Sequence, residues 1–556
     1  MELWNLLRGA AQSNPTGVAA REGDRSWTWA QMHDETAAFA AGLSARGIAP
    51  GDRVTILERN SVAYLQAYFA LAGLGAIAVP LNVRLANPEL ASILQDAAPK
   101  AWLVGADFDP QVDALRGEVP ALELVVRLSG AGEDASLADL VFLRSQWIEY
   151  SQHGDNFVPW LSIIDVLMFN AKDEVKDMLS LADLVNERRT FQPHESAAGD
   201  VAQLYYTSGT TGRPKGVMLT HGNVAAHAAA ACTELDLFRD DVWGHFAPMF
   251  HLADAWAVFA ITREAGAHAF LPRFSTSAAL DVLRRDGVTL TNLVPTMLQA
   301  LLADLDGQDA RTPSLRLILS GGAPIAPSVV GRTLDTFGCE YAQTYGLTET
   351  SPFLTLSLLQ ANHLRLTPEQ QLAVRSRTGR PYETVELEIV DRANQLVPQD
   401  DRAVGEIRVR GTTVSPGYWQ RPEVTAAAFR DGWFYTGDLA TWNQERSVNI
   451  VDRAKDVILT GGENVYSTEV EAALLEHRAV LECAAYGVPH PEWGEELRIA
   501  VMLRPGDSAT EDELRDHCRE RLANYKVPKR VELVDELPRT GSGKVQKRVL
   551  RDRAAR

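Results

Sequence analysis

The chain has 556 residues, of which 46% are hydrophobic and 23% are charged, and this is the composition of a globular protein with an ample core. At about 150 residues per domain, the length predicts three or four folding units. The formal net charge of −19 gives no field that would attract a polyanion, which excludes nucleic acid as the main partner.

The first hundred residues alternate between helical and strand-like patterns. Apolar residues recur at helical spacing over residues 32–43 and 62–74, and residues 52–57 between them predict a strand. The longest apolar stretch, residues 67–81, is interrupted by two glycines and a proline. It is too short for a membrane span and predicts a buried helix followed by a buried strand.

The alternation returns after residue 200 and changes character twice. A helix is predicted over residues 277–286 and a strand over 288–293. From residue 387 short strands dominate, for example 387–390 and 406–411. The last hundred residues alternate again, which predicts a small separate α+β domain.

The hexapeptide SLADLV occurs twice, at residues 136–141 and 180–185, and the composition changes between the copies. Residues 142–179 contain six aromatic side chains and one alanine. An exact repeat around such a change predicts a segmental insertion over residues 142–185, with a helix starting at Pro159. The segment is either a docking or regulatory hairpin or a tolerated surface insertion.

Neither the start of the chain nor its cysteines predict secretion. Met1 is followed by Glu2, Leu3 and Trp4 rather than by a basic segment and an apolar run, so no signal peptide is predicted. The four cysteines lie far apart and form neither a metal-binding pattern nor a disulfide framework. We therefore expect a cytoplasmic protein without a transmembrane segment.

The strongest chemical signal is the string YYTSGTTGRPKGVMLTHGN at residues 205–223. Glycines let backbone amides approach a polyanion, hydroxyl groups add hydrogen-bond donors, and a lysine supplies a mobile positive charge. The string lacks the GxxxxGK[ST] pattern, so a mononucleotide P-loop fold is not predicted. We predict a phosphate-binding loop formed by Thr207, Ser208, Gly209, Thr210, Thr211, Gly212 and Lys215.

This string and six further motifs, in the same order along the chain, resemble the adenylate-forming superfamily. That superfamily includes acyl-CoA synthetases, nonribosomal-peptide adenylation domains and firefly-luciferase-like enzymes. The resemblance covers the chain apart from the insertion, and the wording is nearest to fatty acyl-CoA ligases. The further motifs are SGGAP at 320–324, QTYGLTET at 343–350, YTGD at 435–438, VDRAKD at 451–456, GGENVYSTEVE at 461–471 and LPRTGSGKVQK at 537–547.

The resemblance implies an α/β fold. A large N-terminal domain of layered α/β subdomains with a small β-barrel-like part would span residues 1–452, with the insertion at 142–185. A hinge at residues 453–456, with Lys455 as its pivot, would lead to a small mobile α+β C-terminal domain at residues 457–556.

The resemblance also implies how the base of ATP is held. An aromatic residue followed by glycine offers adenine a flat face with room beside it, and Tyr345 and Gly346 would provide these. The opposite wall would be lined by Gly322, Ala323 and Pro324.

The same resemblance assigns the sugar, the phosphates and the metal. Asp438 would accept both ribose hydroxyls, with Arg453 as a second ribose contact. Thr348 would bind the α-phosphate, and Glu349 would hold Mg²⁺, a hard cation that prefers oxygen ligands.

Three residues are assigned to catalysis by resemblance: Lys544, Lys215 and Glu349. The ammonium of Lys544 would bridge the substrate carboxylate and the α-phosphate while an acyl-adenylate forms. The small domain would then rotate about the hinge and present the GGEN turn, including Gly462, to the pantetheine arm of coenzyme A.

Residues 249–256, MFHLADAW, resemble the segment that borders the acyl pocket of fatty acyl-CoA synthetases. His251 would be a gate and Trp256 a second gate; a bonded core histidine and a packing tryptophan are the alternative. Asp254 lies where it could meet the ammonium of an amino-acid substrate.

These observations predict an ATP-dependent carboxylate–CoA ligase for a fatty (medium- or long-chain) or similar apolar acid. It would use ATP, Mg²⁺ and coenzyme A and release AMP and pyrophosphate. The alternatives are an acyl-AMP ligase that loads a carrier protein, an oxidative luciferase-like enzyme, and a non-catalytic binding protein on the same fold. A homodimer and a protein partner at residues 142–179 stay open.

Overall fold

The computed structural model describes residues 2–128, 142–144, 190–207, 214–323, 325–539 and 545–554. The chain forms two compact units. The first comprises Met1–Asn292, Thr312–Leu315 and Ser415–Gln420, and the second comprises Leu293–Arg311, Arg316–Val414 and Arg421–Arg556. In the described part of the chain, no helix combines the length and the apolar character that a membrane crossing requires.

The first unit alternates helices and strands. Its α-helices are α1 (Trp4–Ser13), α2 (Trp29–Ser44), α3 (Val62–Leu74), α4 (Asn87–Ala97), α5 (Asp109–Leu115), α6 (His221–Glu234), α7 (Leu252–Arg263) and α8 (Thr276–Arg285). Its strands are β1 (Val18–Glu22), β2 (Arg25–Thr28), β3 (Arg53–Leu57), β4 (Ile77–Pro80), β5 (Ala101–Val104), β6 (Leu124–Arg127), β7 (Phe142–Arg144), β8 (Val201–Thr207), β9 (Lys215–Thr220), β10 (Val242–His245), β11 (Ala267–Phe270) and β12 (Leu290–Asn292).

Two sets of strands organise this unit. One sheet has the order β7-β6-β5-β3-β4-β8-β9, and the other strands follow the order β2-β1-β11-β10-β12. The inner pairs run parallel, whereas β7, β9 and β2 pair antiparallel with their neighbours. Parallel strands need crossover connections, and the intervening helices supply them.

Helix α3 and strand β4 confirm the prediction for the longest apolar stretch. The side chain of Ser61 accepts a hydrogen bond from the backbone amide of Tyr64, and Gly75 follows the helix with a left-handed φ of 68°. All residues of α3 but one are buried, and β4 is buried throughout. The helix has no polar face because the sheet and its neighbouring helices surround it.

The predicted insertion begins with an edge strand. Its first three residues form β7, which pairs antiparallel with β6 and places Phe142 opposite Val126. The rest of the predicted insertion, including the helix predicted at Pro159, lies outside the described residues.

The second unit contains α9 (Pro295–Leu305), α10 (Pro327–Phe337), α11 (Pro368–Arg375), α12 (Pro422–Ala428), α13 (Ser467–Leu475), α14 (Glu511–Arg519) and α15 (Lys547–Ala554). Its strands are β13 (Leu317–Gly321), β14 (Glu340–Gly346), β15 (Phe353–Leu356), β16 (Arg380–Pro381), β17 (Val385–Val390), β18 (Gly405–Gly411), β19 (Phe429–Arg430), β20 (Trp433–Trp442), β21 (Val448–Arg453), β22 (Ile458–Thr460), β23 (Glu463–Val465), β24 (Val480–His490), β25 (Gly494–Leu503) and β26 (Arg530–Leu533).

These strands form three groups. The first follows the order β13-β14-β15-β16; the second is an antiparallel sheet, β17-β18-β20-β19, with β21 on β20; the third is β23-β22-β25-β24, with β26 on β25. The second group contains the predicted strands 387–390 and 406–411, and the third lies in the predicted α+β region. The mixed α/β class predicted from the sequence is confirmed.

The third sheet buries both of its faces. Alternate residues of β24 and β25 point to opposite sides, as strand geometry requires. On one side Ala485, Ile499 and Val501 share a core with residues of α13 and α14. On the other side Tyr486 and Ala500 share a smaller core with Leu550 of α15.

Candidate functional site

The predicted phosphate loop joins two antiparallel strands of the first unit. Strands β8 and β9 place Thr207 directly opposite Lys215, so both residues stand at the base of the hairpin. The intervening loop residues Ser208, Gly209, Thr210, Thr211 and Gly212 lie outside the described residues.

The base of this hairpin is closely packed. The ammonium of Lys215 lies 5.3 Å from the ring centroid of Tyr418, a cation–π distance. A Cβ on Gly216 would lie 3.1 Å from the Tyr206 ring and 3.3 Å from Cβ of Trp419, so little space remains beside this residue. Tyr418 was not predicted, because it lies about two hundred residues from the loop and outside the quoted motifs.

His251 and Trp256 lie at the start of α7. His251 is the residue before the helix and is partly exposed, and its ring contacts that of Phe250 at 4.7 Å. Trp256 is only 2% exposed, and its indole nitrogen donates a hydrogen bond of 3.1 Å to the carbonyl of Ala253.

The Trp256 ring packs between two other buried rings. It meets Trp243 edge to face at 4.9 Å and His227 at 5.8 Å. Burial lowers the pKa of His227 to about 3, so this imidazole is neutral at pH 7. The surroundings of Trp256 are therefore aromatic and uncharged on these two sides.

Asp254 is completely buried, and both of its oxygens are used within the core. Oδ1 accepts a hydrogen bond of 3.2 Å from the Trp243 indole, and Oδ2 lies 2.6 Å from Nδ1 of His245. The chain of contacts continues from His245 to His268 at 3.0 Å and from there to the hydroxyl of Thr262 at 3.2 Å. The alternative of an ammonium contact for Asp254 is wrong, because a buried carboxylate keeps the partners that compensate its desolvation.

In the second unit, two parallel strands end side by side at the predicted adenine-binding residues. Strands β13 and β14 place Gly321 opposite Thr344, and Gly322 and Tyr345 follow at the carboxyl ends. A Cβ on Gly321 would lie 2.2 Å from the Thr344 hydroxyl oxygen, so the close approach of these ends needs glycine. Carboxyl ends of neighbouring parallel strands are the usual place for a nucleotide.

Other predicted residues extend this edge. Gly322 has a φ of 84°, which favours glycine, and the carbonyl of Ala323 accepts a hydrogen bond of 3.0 Å from the Gln343 side chain. A Cβ on Gly346 would lie 1.8 Å from the Pro352 carbonyl oxygen. Pro324 lies outside the described residues.

Thr348 and Glu349 lie in the short 3₁₀ turn Thr348–Thr350 that follows β14. The backbone amide of Thr350 donates to the Leu347 carbonyl, and the Leu347 amide donates to the Thr350 hydroxyl, both at 3.0 Å, which fixes the turn. Thr348 is partly exposed, and Glu349 is 9% exposed. Within the described ranges, no three His, Cys, Asp or Glu residues come close enough to form a metal cage of their own.

The predicted ribose residues are paired across two antiparallel strands. Asp438 on β20 stands opposite Arg453 on β21, and Nε of Arg453 lies 2.8 Å from Oδ1 of Asp438. The other oxygen accepts a hydrogen bond of 2.8 Å from the Tyr345 hydroxyl. Burial and this carboxylate raise the pKa of Tyr345, so its phenol remains a donor at neutral pH.

The predicted hinge and coenzyme A residues lie further along the second unit. Lys455 follows β21 and is exposed. Gly461 and Gly462 form the turn between β22 and β23 with φ values of 60° and 86°, and nothing lies within 4 Å of a Cβ built on either. The turn is exposed, as contact with a passing chain requires. Lys544 lies outside the described residues.

A buried polar cluster, which the sequence analysis did not predict, joins three of the motifs. The backbone amide and hydroxyl of Ser467 donate to Asp452 at 2.5 and 3.0 Å. The ammonium of Lys547 donates to the Ser467 hydroxyl and lies 2.7 Å from Glu471. Asp452 belongs to the motif at 451–456, Ser467 and Glu471 to the motif at 461–471, and Lys547 to the motif at 537–547. Their presence in these motifs was the only indication of the cluster in the sequence.

Comparison with known proteins identifies the family. The model of the AMP-binding enzyme family matches residues 7–419, and the model of its C-terminal domain matches residues 469–544. The chain belongs to the AMP-binding enzyme family. Within this family it is an acid–thiol ligase of the AMP-forming CoA ligase class, for which binding of ATP or AMP and use of coenzyme A are implied.

Relatives and solved structures cover nearly the whole ligase. A feruloyl-CoA synthase from Amycolatopsis sp is 36% identical over 99% of this chain and 98% of its own. A long-chain-fatty-acid–CoA ligase from Thermus thermophilus is 33% identical over 99% and 95%. The o-succinylbenzoate CoA synthetase from Bacillus subtilis, solved with its acyl-adenylate intermediate, has a TM-score of 0.79 at 28% identity and covers 99% of this chain and 98% of its own.

Proposed function

We propose that this ligase joins a fatty (medium- or long-chain) or similar apolar carboxylic acid to coenzyme A through an acyl-adenylate. In the first step a carboxylate oxygen bonds to the α-phosphorus of ATP and pyrophosphate leaves. In the second step the thiol sulfur bonds to the acyl carbon, AMP leaves and the thiol proton is lost to solvent. The observation that supports an acid without an ammonium group is that Asp254 is completely buried and contacts Trp243 and His245 in the core.

The nucleotide is held by residues of the β13 and β14 ends and of the β20–β21 pair. Tyr345 offers the face for adenine beside Gly346, and Asp438 and Arg453 bind the ribose. The carboxylate of Asp438 is oriented by its contact with Arg453, and carboxylate oxygens are strong acceptors for the hydroxyl groups of a sugar. The hydroxyl of Thr348 donates to the α-phosphate.

Mg²⁺ fits the residues present. In nucleotide sites this ion is held by one or two carboxylates together with phosphate oxygens and water. Glu349, a largely buried residue that follows Thr348 in the same turn, offers one such ligand. When bound, the ion neutralises phosphate charge.

Two lysines act on the phosphates and the acid. Lys215, at the base of the phosphate hairpin, places a cation beside the phosphates, and its contact with Tyr418 restrains the long side chain. Lys544 brings the carboxylate and the α-phosphate together, because a cation between two anions lowers their repulsion as charge develops.

The second step needs a different arrangement of the small domain. Rotation about the hinge at residues 453–456, with Lys455 as pivot, withdraws Lys544 and brings the Gly461–Gly462 turn to the pantetheine arm. The open space around both glycines supports this role, since a thin chain can pass close to a backbone without side chains.

The surroundings of His251 and Trp256 favour an apolar substrate. His251 and Trp256 border the acyl group in this proposal, and the rings packed against Trp256 are uncharged. Because Asp254 is bonded to His245 and Trp243, it is not offered to a substrate ammonium. An amino acid would therefore bury its ammonium without a carboxylate partner.

The test is pyrophosphate release from ATP with a panel of acids, with and without coenzyme A. The panel contains octanoate, palmitate, ferulate and two matched pairs that differ only by an ammonium: 3-phenylpropanoate with phenylalanine, and octanoate with 2-aminooctanoate. We expect turnover with the apolar members, formation of AMP and the acyl-CoA when coenzyme A is present, and no turnover with the amino acids.

Each other outcome has a defined meaning. Turnover with phenylalanine that equals turnover with 3-phenylpropanoate contradicts the acid class. Pyrophosphate release without acyl-CoA formation contradicts the CoA acceptor and favours delivery to a carrier protein. Activity with ferulate alone would narrow the acid to an aryl one.

A further inference from the structure

Residues 246–251, which lie between β10 and α7 and end at His251, are held by one amide side chain. The Asn60 side-chain nitrogen donates to the carbonyls of His245 and Ala247, both at 2.8 Å. The Asn60 side-chain oxygen accepts from the backbone amide of Met249, also at 2.8 Å. Asn60 is only 5% exposed, so these bonds form away from water.

Tyr68 of α3 holds the same segment from a second direction. Its hydroxyl donates to the Met249 carbonyl at 2.9 Å and lies 2.8 Å from the hydroxyl of Tyr205. A phenol carries one proton and a carbonyl oxygen can only accept. Tyr205 is therefore the donor to Tyr68, and the proton order runs from Tyr205 to Tyr68 to Met249.

Both phenols are fixed as donors. Tyr68 is 1% exposed and Tyr205 is 3% exposed. Burial raises the pKa of each phenol above its ordinary value, so both remain protonated across the physiological range.

The chain of hydrogen bonds ends on the strand that leads into the phosphate hairpin. Tyr205 lies on β8 two residues before Thr207, and residues two apart in a strand point to the same face. The Tyr205 hydroxyl, the Tyr68 hydroxyl and the Met249 carbonyl thus join the segment before His251 to the base of the phosphate hairpin within the first unit.

We propose that Tyr68 is a positioning residue for acyl binding: its hydroxyl fixes the backbone before His251 against the strand that carries the phosphate hairpin. This inference rests on the proposed function. It predicts that loss of the Tyr68 hydroxyl impairs binding of the acid more than binding of ATP. The reason is that the Tyr68 hydrogen bond is made to Met249, within the segment 246–251 that ends at His251.

The chain supplies a matched control on the same helix. Tyr64 lies one turn before Tyr68, is 0% exposed, and its ring centroid is 5.3 Å from that of Tyr68. Among the described residues its hydroxyl makes no hydrogen bond to residues 246–251. Tyr64→Phe therefore removes a buried phenol hydroxyl from the same helix without removing a hydrogen bond to residues 246–251.

The experiment measures steady-state pyrophosphate release in the full chain against acid and against ATP, for wild type, Tyr68→Phe and Tyr64→Phe. We expect Tyr68→Phe to raise the KM for the acid about 5- to 20-fold, the loss of one or two buried hydrogen bonds, with the KM for ATP within about 2-fold. Tyr64→Phe should leave both KM values within about 2-fold of wild type.

A third variant covers the case in which Tyr68→Phe does not fold. Tyr205→Phe keeps the bond from Tyr68 to Met249 and removes only the link to β8. Its KM for the acid should exceed that of Tyr64→Phe, with the KM for ATP within about 2-fold of wild type. An acid KM equal to that of Tyr64→Phe would overturn the inference.

The failure of the inference and that of the proposed function are distinguishable. If wild type is active but Tyr68→Phe keeps its acid KM, or raises the KM for acid and ATP equally, the inference alone is overturned. If wild type releases no pyrophosphate with any acid of the panel, the proposed function is overturned and this inference with it.

Discussion

The hydroxyl of Tyr345 and the carboxylate of Asp438 form a hydrogen bond of 2.8 Å although 93 residues separate them. The second carboxylate oxygen is paired with Arg453, and Asp438 is 2% exposed. The aromatic face proposed for adenine and the acceptor proposed for ribose are thus one bonded unit. A change in either residue should alter the KM for ATP, but by different amounts.

Replacing Asp438 should cost much more than removing the Tyr345 hydroxyl. Asp438→Asn loses the charge that strengthens hydrogen bonds to ribose, a loss of about 1.5–3 kcal/mol, and should raise the KM for ATP about 10- to 100-fold. Tyr345→Phe keeps the ring face and should change this KM less than about 5-fold. Initial-rate kinetics with varied ATP at saturating acid measures both.

A nucleotide lacking one hydroxyl provides the control for this prediction. With 2′-deoxy-ATP one of the proposed ribose bonds is already missing, so the ratio of KM values between Asp438→Asn and wild type should shrink. A ratio that is the same for ATP and 2′-deoxy-ATP would show that Asp438 acts only through the structure of the β20–β21 pair.

Lys544→Ala should abolish formation of the acyl-adenylate yet leave thiol transfer from a supplied acyl-adenylate comparatively intact. The charge of this lysine is needed only while two anions approach, and a loss of about 10²-fold or more fits removal of one positioned electrostatic group. The two half-reactions are measured separately, with Lys529→Ala as a control lysine of the same domain. Equal losses in both half-reactions would contradict this division of labour.

Sequence was sufficient where the signals are local. Helix α3 could be predicted because apolar residues recur at helical spacing over residues 62–74. The residues at the ends of β13 and β14 could be assigned by resemblance, because the motifs at 320–324 and 343–350 include the last residues of these strands. In both cases the information lies within a few residues of the element.

Partnerships between distant polar groups could not be predicted. Asp254 was a candidate for an ammonium contact because its position in MFHLADAW is near the acyl segment, yet its partners are His245 and Trp243. Periodicity tells which face of an element is buried, and a buried carboxylate must be bonded, but which group bonds it depends on how separate elements pack. The same holds for Asn60, Tyr68 and the cluster around Lys547.

Lys547→Met should destabilise the second unit in a pH-dependent way. The ammonium lies 2.7 Å from Glu471, whose pKa is already raised by burial, and its removal leaves this carboxylate without its cation. We expect a loss of about 1–3 kcal/mol in the free energy of unfolding at pH 7.5, measured by chemical denaturation.

The sign of the pH effect follows from the shift. Without Lys547 the folded-state pKa of Glu471 rises further above its unfolded value, so the folded variant binds more protons than the unfolded chain. Its deficit should therefore be largest above that pKa and should shrink as the pH falls through it.

A second lysine of the same region is the control for Lys547. Lys526 lies 2.7 Å from Glu469, whose side chain is 40% exposed, whereas that of Glu471 is 19% exposed. Because solvent screens the more exposed pair, Lys526→Met should cost less than about 1 kcal/mol and show little dependence on pH. Equal losses for the two variants, or a deficit in Lys547→Met that grows as the pH falls, would contradict the assigned role of Glu471.

The predicted insertion can be tested with two deletions of 44 residues each. Removing residues 142–185 restores a single SLADLV but eliminates β7, the antiparallel partner of β6. Removing residues 145–188 retains β7 and joins it to the segment that begins at Arg189. We expect both chains to fold and to form acyl-CoA, because every residue assigned to chemistry lies after the segment.

The two deletions should differ in stability. The chain that retains β7 should unfold within about 3 °C of the full chain, with kinetic constants within about 2-fold, as expected when no core contact is lost. The chain without β7 exposes the unpaired edge of β6 and should aggregate more readily and unfold at a lower temperature, since an open edge is a template for pairing with another chain. Thermal unfolding measures the stability of the two chains, light scattering measures their aggregation, and steady-state kinetics measures their activity. If the chain that retains β7 is insoluble, or folds without activity on the best acid, then residues 145–188 contribute to the core or to the substrate site and are not a dispensable insertion.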